Sequence, residues 1–184
     1  MSRLSIGVRI RQMRRQGRLS LGALEAKTGL TKSYLSKVER GVTVPSIASV
    51  LKLARAFGVD VAQLFGEKTG DATICVVTRA ERKRMARSGS GTGYVYEAIA
   101  HKRRSKCMEP FIMRPPQRFA TDELFDHEGE ELIFVLKGRV EVNFADRRVV
   151  LAAGDCVYFD AHLLHRSRSL GRTPAETLVV IGAP

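Results

Sequence analysis

The sequence predicts an α+β chain of two domains, a five-helix bundle followed by a small all-β barrel. Three observations carry that prediction. Apolar residues recur three and four apart up to about residue 68, whereas from about residue 106 they fall in short β-branched and aromatic runs. Helix caps punctuate the first pattern and turn residues the second. A length of 184 residues, 44% hydrophobic and 27% charged, accommodates a small helical module plus a domain of about 100 residues, each with a core.

Charge divides along the same line. The formal net charge is +12, and the first 70 residues hold 13 Lys and Arg against 4 Asp and Glu, net +9; the rest hold 18 against 15, net +3. A basic surface gains free energy by displacing counterions from phosphates, so the N-terminal part is the candidate for a polyanionic partner. Charge alone fits a merely soluble basic surface equally well. Cys75, Cys107 and Cys156 are odd in number and widely spaced, which predicts reduced, buried thiols in a cytoplasmic protein and no thiolate zinc site. Arg3, Arg9 and Arg11 interrupt any signal-type apolar core, and no run approaches the ~20 apolar residues of a bilayer span. Neither export nor membrane insertion is expected.

The helices follow in order. Ile6, Ile10 and Met13 share one face and Arg11, Arg14, Arg15 and Arg18 another, giving a basic amphipathic helix over about 5–16 that Gly17 helps to stop. Ser20 is placed to cap a second helix of about eight residues, with Leu21 and Leu24 inward and Gly29 at the turn after it. Thr31 is placed to cap a third, with Leu30 before it as a staple for Leu35. Leu35 and Val38 face inward there, leaving Lys32, Ser33, Ser36 and Lys37 outward with no acid among them. A fourth helix starts at Pro45-Ser46, its core positions Ile47, Val50, Leu51, Leu53 and Ala54, and Val61, Leu64 and Phe65 close the module in a short fifth.

These elements, with the Ser36 to Gly41 signature, run without a gap from Gly7 to Phe65 and resemble the phage-repressor-like (XRE-type) helix-turn-helix domain of bacterial regulators. The resemblance implies that Lys32, Ser33 and Lys37 read base edges from the third helix and that Ser36 lies near a phosphate or base. It implies phosphate contacts from Ser20, Arg14, Arg40, Thr43 and Ser46, and a pairing of Glu39 with Arg14. Glu25 departs from the pattern, which has a small residue there. Either its carboxylate reaches solvent or Ala26 takes over the packing against the third helix. Some modules of this fold bind proteins instead; the basic outward face argues against that here.

Thr73–Val77 is a β-type run, and residues 79–106 carry nine basic against two acidic residues, either a second phosphate contact or a solvated loop, the loop being the simpler reading. Strands are expected at Leu132–Leu136, Val140–Phe144, Val149–Leu151, Val157–Phe159 and Leu178–Ile181, between turns such as Lys137-Gly138 and Gly154-Asp155. A closed or double-sheet arrangement removes exposed edges, and a jelly-roll barrel fits the length. The organisation is therefore residues 1–68 as the helical domain, 69–106 as linker and first barrel strands, and 107–184 as the barrel.

From His127 to Ser167 the second domain resembles the cupin barrel that follows such helix-turn-helix domains in many bacterial regulators, on the markers His127, Glu131, Gly138, Gly154-Asp155 and His165. His127, Glu131 and His165 match three of the four metal ligands of metal-binding cupins; Phe125 stands where the fourth, a His, is missing. Asp160 and His162 replace a Pro and a Gly, and Ser169 an Asn. Two His and a carboxylate are the set of a facial triad suited to Fe(II), so a divalent metal in the barrel is one option. The other is that His127 and His165 are hydrogen-bonded lining residues and Glu131 helps a strand to start. With or without metal, the barrel mouth is expected to take a small-molecule effector among His127, Glu131, Tyr158 and His165.

The resemblance as a whole implies a cytoplasmic transcriptional regulator that binds double-stranded operator DNA as a homodimer and senses an effector in the cupin domain, and not an enzyme. The alternative is a mononuclear iron-dependent cupin oxidoreductase, since an epoxidase of phosphonate antibiotic synthesis joins the same two domains. No further acid, base or substrate-clamping cluster stands beside the three ligands to favour it.

Overall fold

The computed structural model describes residues 5–66, 70, 73–85, 93–119, 122 and 124–182. The chain divides into two compact units, Met1–Ile74 with His101–Ser105, and Cys75–Ala100 with Lys106–Pro184. Among the described residues, no helix is long and apolar enough to cross a membrane.

In the first unit five helices form: α1 Ile6–Gln16, α2 Leu21–Thr28, α3 Lys32–Glu39, α4 Ile47–Phe57 and α5 Val61–Leu64. Side-chain oxygens start four of them, Ser5 accepting from Val8 N–H (3.4 Å), Ser20 from Ala23 (3.0 Å), Thr31 from Tyr34 (3.2 Å) and Ser46 from Ser49 (3.2 Å). Gly29, at φ 69°, ends α2 in the left-handed conformation that lets α3 begin two residues later. Ile10, Leu24, Leu35, Leu53 and Leu64 are fully buried. Ile47, Leu51 and Phe65, expected in the core, are only half-buried, and Ala48 is buried instead. Gly7 has a role that periodicity does not reveal. A Cβ there would lie 2.1 Å from the Val38 carbonyl oxygen, so α1 crosses α3 at backbone contact distance and only glycine fits.

Among its described residues the second unit holds nine strands: β1 Lys83–Arg84, β2 Val95–Ala98, β3 Met108–Arg114, β4 Glu130–Lys137, β5 Arg139–Phe144, β6 Arg148–Ala152, β7 Cys156–Asp160, β8 His165–Leu170 and β9 Glu176–Gly182. They pair in two antiparallel sheets, ordered β1-β2-β3-β9-β4-β7 and β6-β5-β8. All five strand runs expected from sequence lie within β4, β5, β6, β7 and β9. The core between the sheets includes Phe111, Ile133, Val135, Val140, Val142 and Val179.

Three expectations need correction. Thr73–Val77 forms no strand; Ile74 and Val76 are exposed, and β1 and β2 come later, with Val95 onward paired to β3. The cysteines are free but not buried: Cys107 and Cys156 are exposed and Cys75 half-buried. For Cys156 the cause is strand alternation, which turns Phe159 inward and Cys156 out. Part of the basic loop, His101–Ser105, joins the helical unit, where Gly70 and Arg103 form a bridge: Gly70 N–H donates to Lys102 (2.8 Å) and Arg104 N–H to Gly70 (3.0 Å).

Candidate functional site

On the helical unit, Lys32, Ser33, Lys37 and Arg40 are exposed and Ser36 is half-buried, while Leu35, Val38 and Glu39 turn inward. The outward face of α3 is therefore basic. Val42 and Thr43 N–H groups both donate to the Lys37 carbonyl (2.9 and 3.3 Å), which folds the loop after α3 back and holds Thr43 beside it. Ser20 is exposed at the start of α2. Ser46, half-buried, lies 3.1 Å from Ser49, which in turn accepts from the Tyr34 hydroxyl at 3.0 Å. That bond ties the middle of α3 to the first turn of α4.

Arg14 is not a free phosphate clamp. Its Nε and Nη2 donate to the two oxygens of buried Glu39 at 2.6 and 2.8 Å, and Nη1 donates to the Leu19 carbonyl at 2.9 Å. Three of its five N–H groups are committed internally, because Glu39 inside the fold requires a bidentate cation. The Glu25 carboxylate reaches solvent, and it also binds α3. Its carboxylate accepts from Lys32 N–H at 3.1 Å and lies 3.6 Å from the Lys32 ammonium, while Ala26 is exposed. Glu25 thus supplies a second cap for α3, satisfying an N–H that Thr31 leaves open.

In the barrel, His127, Glu131 and His165 come together in the core, 3%, 6% and 8% exposed. One ligand atom from each lies within 4.8 Å of the others. His127 Nε2 is 2.8 Å and His165 Nε2 3.5 Å from the same Glu131 oxygen. The other ring nitrogens are fixed by backbone: His127 Nδ1–H donates to Glu128 (3.2 Å) and His165 Nδ1–H to Leu163 (2.7 Å). A carbonyl can only accept, so both Nδ1 atoms carry protons and both Nε2 atoms face the carboxylate. Lone pairs facing a carboxylate repel; the cluster is stable only with positive charge between its members, a proton or a metal ion. Burial alone would push the Glu131 carboxyl up, but hydrogen bonds from both histidines outweigh it and hold Glu131 below the usual carboxylate range. Burial likewise opposes charge on His165, yet the Glu131 carboxylate raises it above the usual imidazole value.

Aromatic rings complete the lining, and sequence reasoning missed most of them. Phe159 packs edge-on to His165 (4.8 Å), and Phe125 exchanges backbone hydrogen bonds with His165 while its ring meets Tyr94 at 6.5 Å. Tyr94 stacks on Tyr96 at 6.0 Å, and the Tyr94 hydroxyl donates to Ser167 O (2.6 Å) and accepts from Ser167 N–H (2.8 Å). Burial raises both phenols, Tyr96 well above its ordinary value with Tyr94 and Glu131 adding to it, so both stay protonated at neutral pH. The signal for them was the alternation of Tyr94 and Tyr96 within a short polar stretch. Tyr158, expected beside this cluster, is a correction: alternation in β7 turns it outward, 60% exposed, and with Phe159, which packs on His165, it lines an apolar cavity of about 440 Å³. His162 is also outside, its N–H bound to Asp160. Ser169 is structural: its buried hydroxyl donates to Pro115 O and accepts from Ala175 N–H.

Comparison with known proteins places both halves. A helix-turn-helix family model matches residues 10–64 and a cupin-domain model residues 111–181. The HTH-type transcriptional regulator PuuR of Escherichia coli (strain K12) is 25% identical over 181 residues, 98% of this chain and 94% of that protein. The uncharacterized HTH-type transcriptional regulator y4dJ of Sinorhizobium fredii is 34% identical over 59 residues, 32% of this chain and 77% of that protein. Among solved structures, an HTH_3 family transcriptional regulator from Vibrio cholerae matches with a TM-score of 0.67 at 20% identity, covering 97% of this chain and 95% of its own. Fe(II)-HppE matches at 0.51 and 17% identity, covering 99% and 98%; at such identities the likeness is one of fold. The chain belongs to the HTH-type transcriptional regulators, as a DNA-binding regulator that carries an XRE-type helix-turn-helix domain ahead of a cupin domain.

Proposed function

We propose that the cupin barrel senses a small-molecule effector at the His127–Glu131–His165 cluster and so controls how a cytoplasmic homodimer holds operator DNA, with no catalytic turnover. The observation that carries this reading is the cluster itself. Two histidines are held with Nδ1 on backbone carbonyls and Nε2 toward one buried carboxylate, inside an aromatic lining. A divalent metal fits this donor set; His127 Nε2, His165 Nε2 and the Glu131 carboxylate would hold it, and it would supply open coordination positions for an effector oxygen or nitrogen. Tyr96, as a phenol, offers a donor to the same ligand, while Tyr94, whose hydroxyl is spent on Ser167, holds the wall beside it.

On the DNA side, Lys32, Ser33 and Lys37 read base edges in the major groove, with Ser36 beside them and Ser20, Arg40, Thr43 and Ser46 on phosphates. Two copies place their α3 helices about 34 Å apart on a near-palindromic site. An effector acts only through a difference in affinity between two arrangements of that pair. The test is selection of bound sequences from random duplex DNA at physiological salt, with metal content measured on the same protein. An enriched inverted repeat supports the regulator.

The same cluster carries a second reading, an iron-dependent oxidoreductase, because two His and one carboxylate also serve such chemistry. One iron per chain together with no enriched sequence would favour it.

A further inference from the structure

The two outer faces of the barrel differ in kind. On the three-stranded sheet, Arg139, Glu141 and Asn143 of β5 lie in register with Arg148 of β6 and with Arg166 and Arg168 of β8, a charged surface on which Arg168 and Glu141 pair at 2.9 Å. On the six-stranded sheet the register puts Leu132 beside Tyr158 and Val180, and Phe134 beside Leu178 and Cys156. These alternate with buried Glu131, Ile133 and Val135, so they share the outer face. Phe134, Leu136 and Tyr158 remain 36%, 45% and 60% exposed. An antiparallel sheet facing water presents polar residues; this one presents aromatic and aliphatic side chains on adjacent strands.

We propose that this apolar face is the contact with a second copy of the chain, packed face to face about a two-fold axis that runs across the strands. The proposal rests on the homodimer reading above and names its surface. Seven apolar outward positions on three strands, about 4.8 Å apart between strands and about 7 Å apart along each, make a patch of roughly 240 Å², enough for the apolar centre of a standard interface of about 800 Å² per partner. Charge selects both the occupant and the axis. Glu130 and Asp160, in register with each other, make one end of the face acidic, while at the other end exposed Lys137 lies opposite Glu176, whose charge Arg114 takes up at 2.6 Å, so that this end is left with an excess of one positive charge. An axis across the strands sets each acidic end over the other copy's Lys137, whereas an axis along the strands would set acids against acids. The patch is thus complementary to itself, as an isologous contact demands.

The experiment compares the full chain with Phe134→Glu by sedimentation equilibrium, with Val150→Glu, on the charged outer face, as control. The wild type and Val150→Glu should sediment as dimers, and Phe134→Glu should dimerise at least about 30-fold more weakly. Alkylation of the wild type gives a readout that needs no variant. Cys156 lies beside Phe134 in the patch and should react much more slowly than Cys107, which is exposed outside it. A wild type that is monomeric throughout overturns the homodimer reading and this inference together. A dimer that survives Phe134→Glu, or one in which Cys156 reacts as fast as Cys107, keeps the homodimer and overturns only this face.

Discussion

The helical unit and the barrel each carry a candidate site of basic or donor groups, but they hold it in opposite ways. In the helical unit the ligand-facing residues are outside, on a helix whose inner side is fixed by caps, a glycine crossing and one buried ion pair. In the barrel they are inside, and each is fixed by a backbone carbonyl or another site residue. The first arrangement separates function from stability: Lys37 can change without unsettling Leu35. The second joins them, since altering Glu131 alters both the site and the buried electrostatics around it.

The largest expected effect tests the stability side of the helical unit. Gly7→Ala places a methyl 2.1 Å from the Val38 carbonyl, a backbone atom that cannot step aside, so α1 and α3 must part. DNA binding should be lost and the helical unit destabilised by about 3 kcal/mol or more, while the melting transition of the barrel stays where it was. Calorimetry that found only one, jointly lowered transition would show that the two units do not unfold separately. Arg14→Ala should follow closely. It leaves Glu39 buried and uncompensated, at a cost of about 3 kcal/mol, and the loss should show in urea unfolding, whereas a mere phosphate contact would show only in the salt dependence of binding.

For the barrel the corresponding test is pH. Glu131, held below its ordinary range, stabilises the fold above the unfolded carboxyl value of about 4.3 and loses that contribution as pH falls through its lowered folded value. His165, raised, stabilises fully below about 6.5 and loses its contribution as pH rises through its raised folded value. The metal-free barrel should therefore melt highest at about pH 5 to 6 and weaken towards pH 8, and Glu131→Gln should flatten that alkaline limb. Added divalent metal should reverse the slope, because a metal held by the cluster would displace the proton that His165 Nε2 turns toward Glu131. A wild-type profile as flat as that of Glu131→Gln would show that the cluster holds no such charge.

The difference between the regions also governed what could be read from sequence. Helix boundaries, caps and the outward face of α3 were legible because each depends on residues within four positions: Ser20 and Ala23, Thr31 and Tyr34. The five apolar strands were legible by the same locality. What escaped depends on contacts distant in sequence. β8 reads HRSRSL, polar up to its last residue, yet its His165, Ser167 and Ser169 are buried because the opposite wall supplies Glu131, Tyr94 and Pro115 as partners. Tyr158 suits a pocket by its type, but a shift of one position along β7 exchanges the inside, Phe159, for the outside. Of the barrel cluster, His127, Glu131 and His165 could be picked out from sequence and the neighbouring tyrosines could not.

Two smaller effects sharpen the functional half of the comparison. Lys37→Ala should cost about 1 to 3 kcal/mol at one operator position and relax sequence preference there, with unfolding unchanged because Lys37 is exposed. A uniform loss across all sequences would reassign Lys37 to a phosphate.

Glu25→Ala makes the finest distinction. The carboxylate both caps α3 at Lys32 N–H and restrains the Lys32 ammonium, so its removal works in two directions. Loss of the cap should destabilise the helical unit by about 0.5 to 1 kcal/mol. Release of Lys32, with one acidic charge fewer beside the phosphates, should strengthen non-specific DNA binding and steepen its salt dependence. Less stable and more adhesive is an unusual pairing. Titrating a random duplex at several salt concentrations, beside urea unfolding of the same sample, reads both. If binding weakens in step with stability, the Glu25 carboxylate is positioning the reading helix, and the separation of function from stability on this surface stops at α3's first turn.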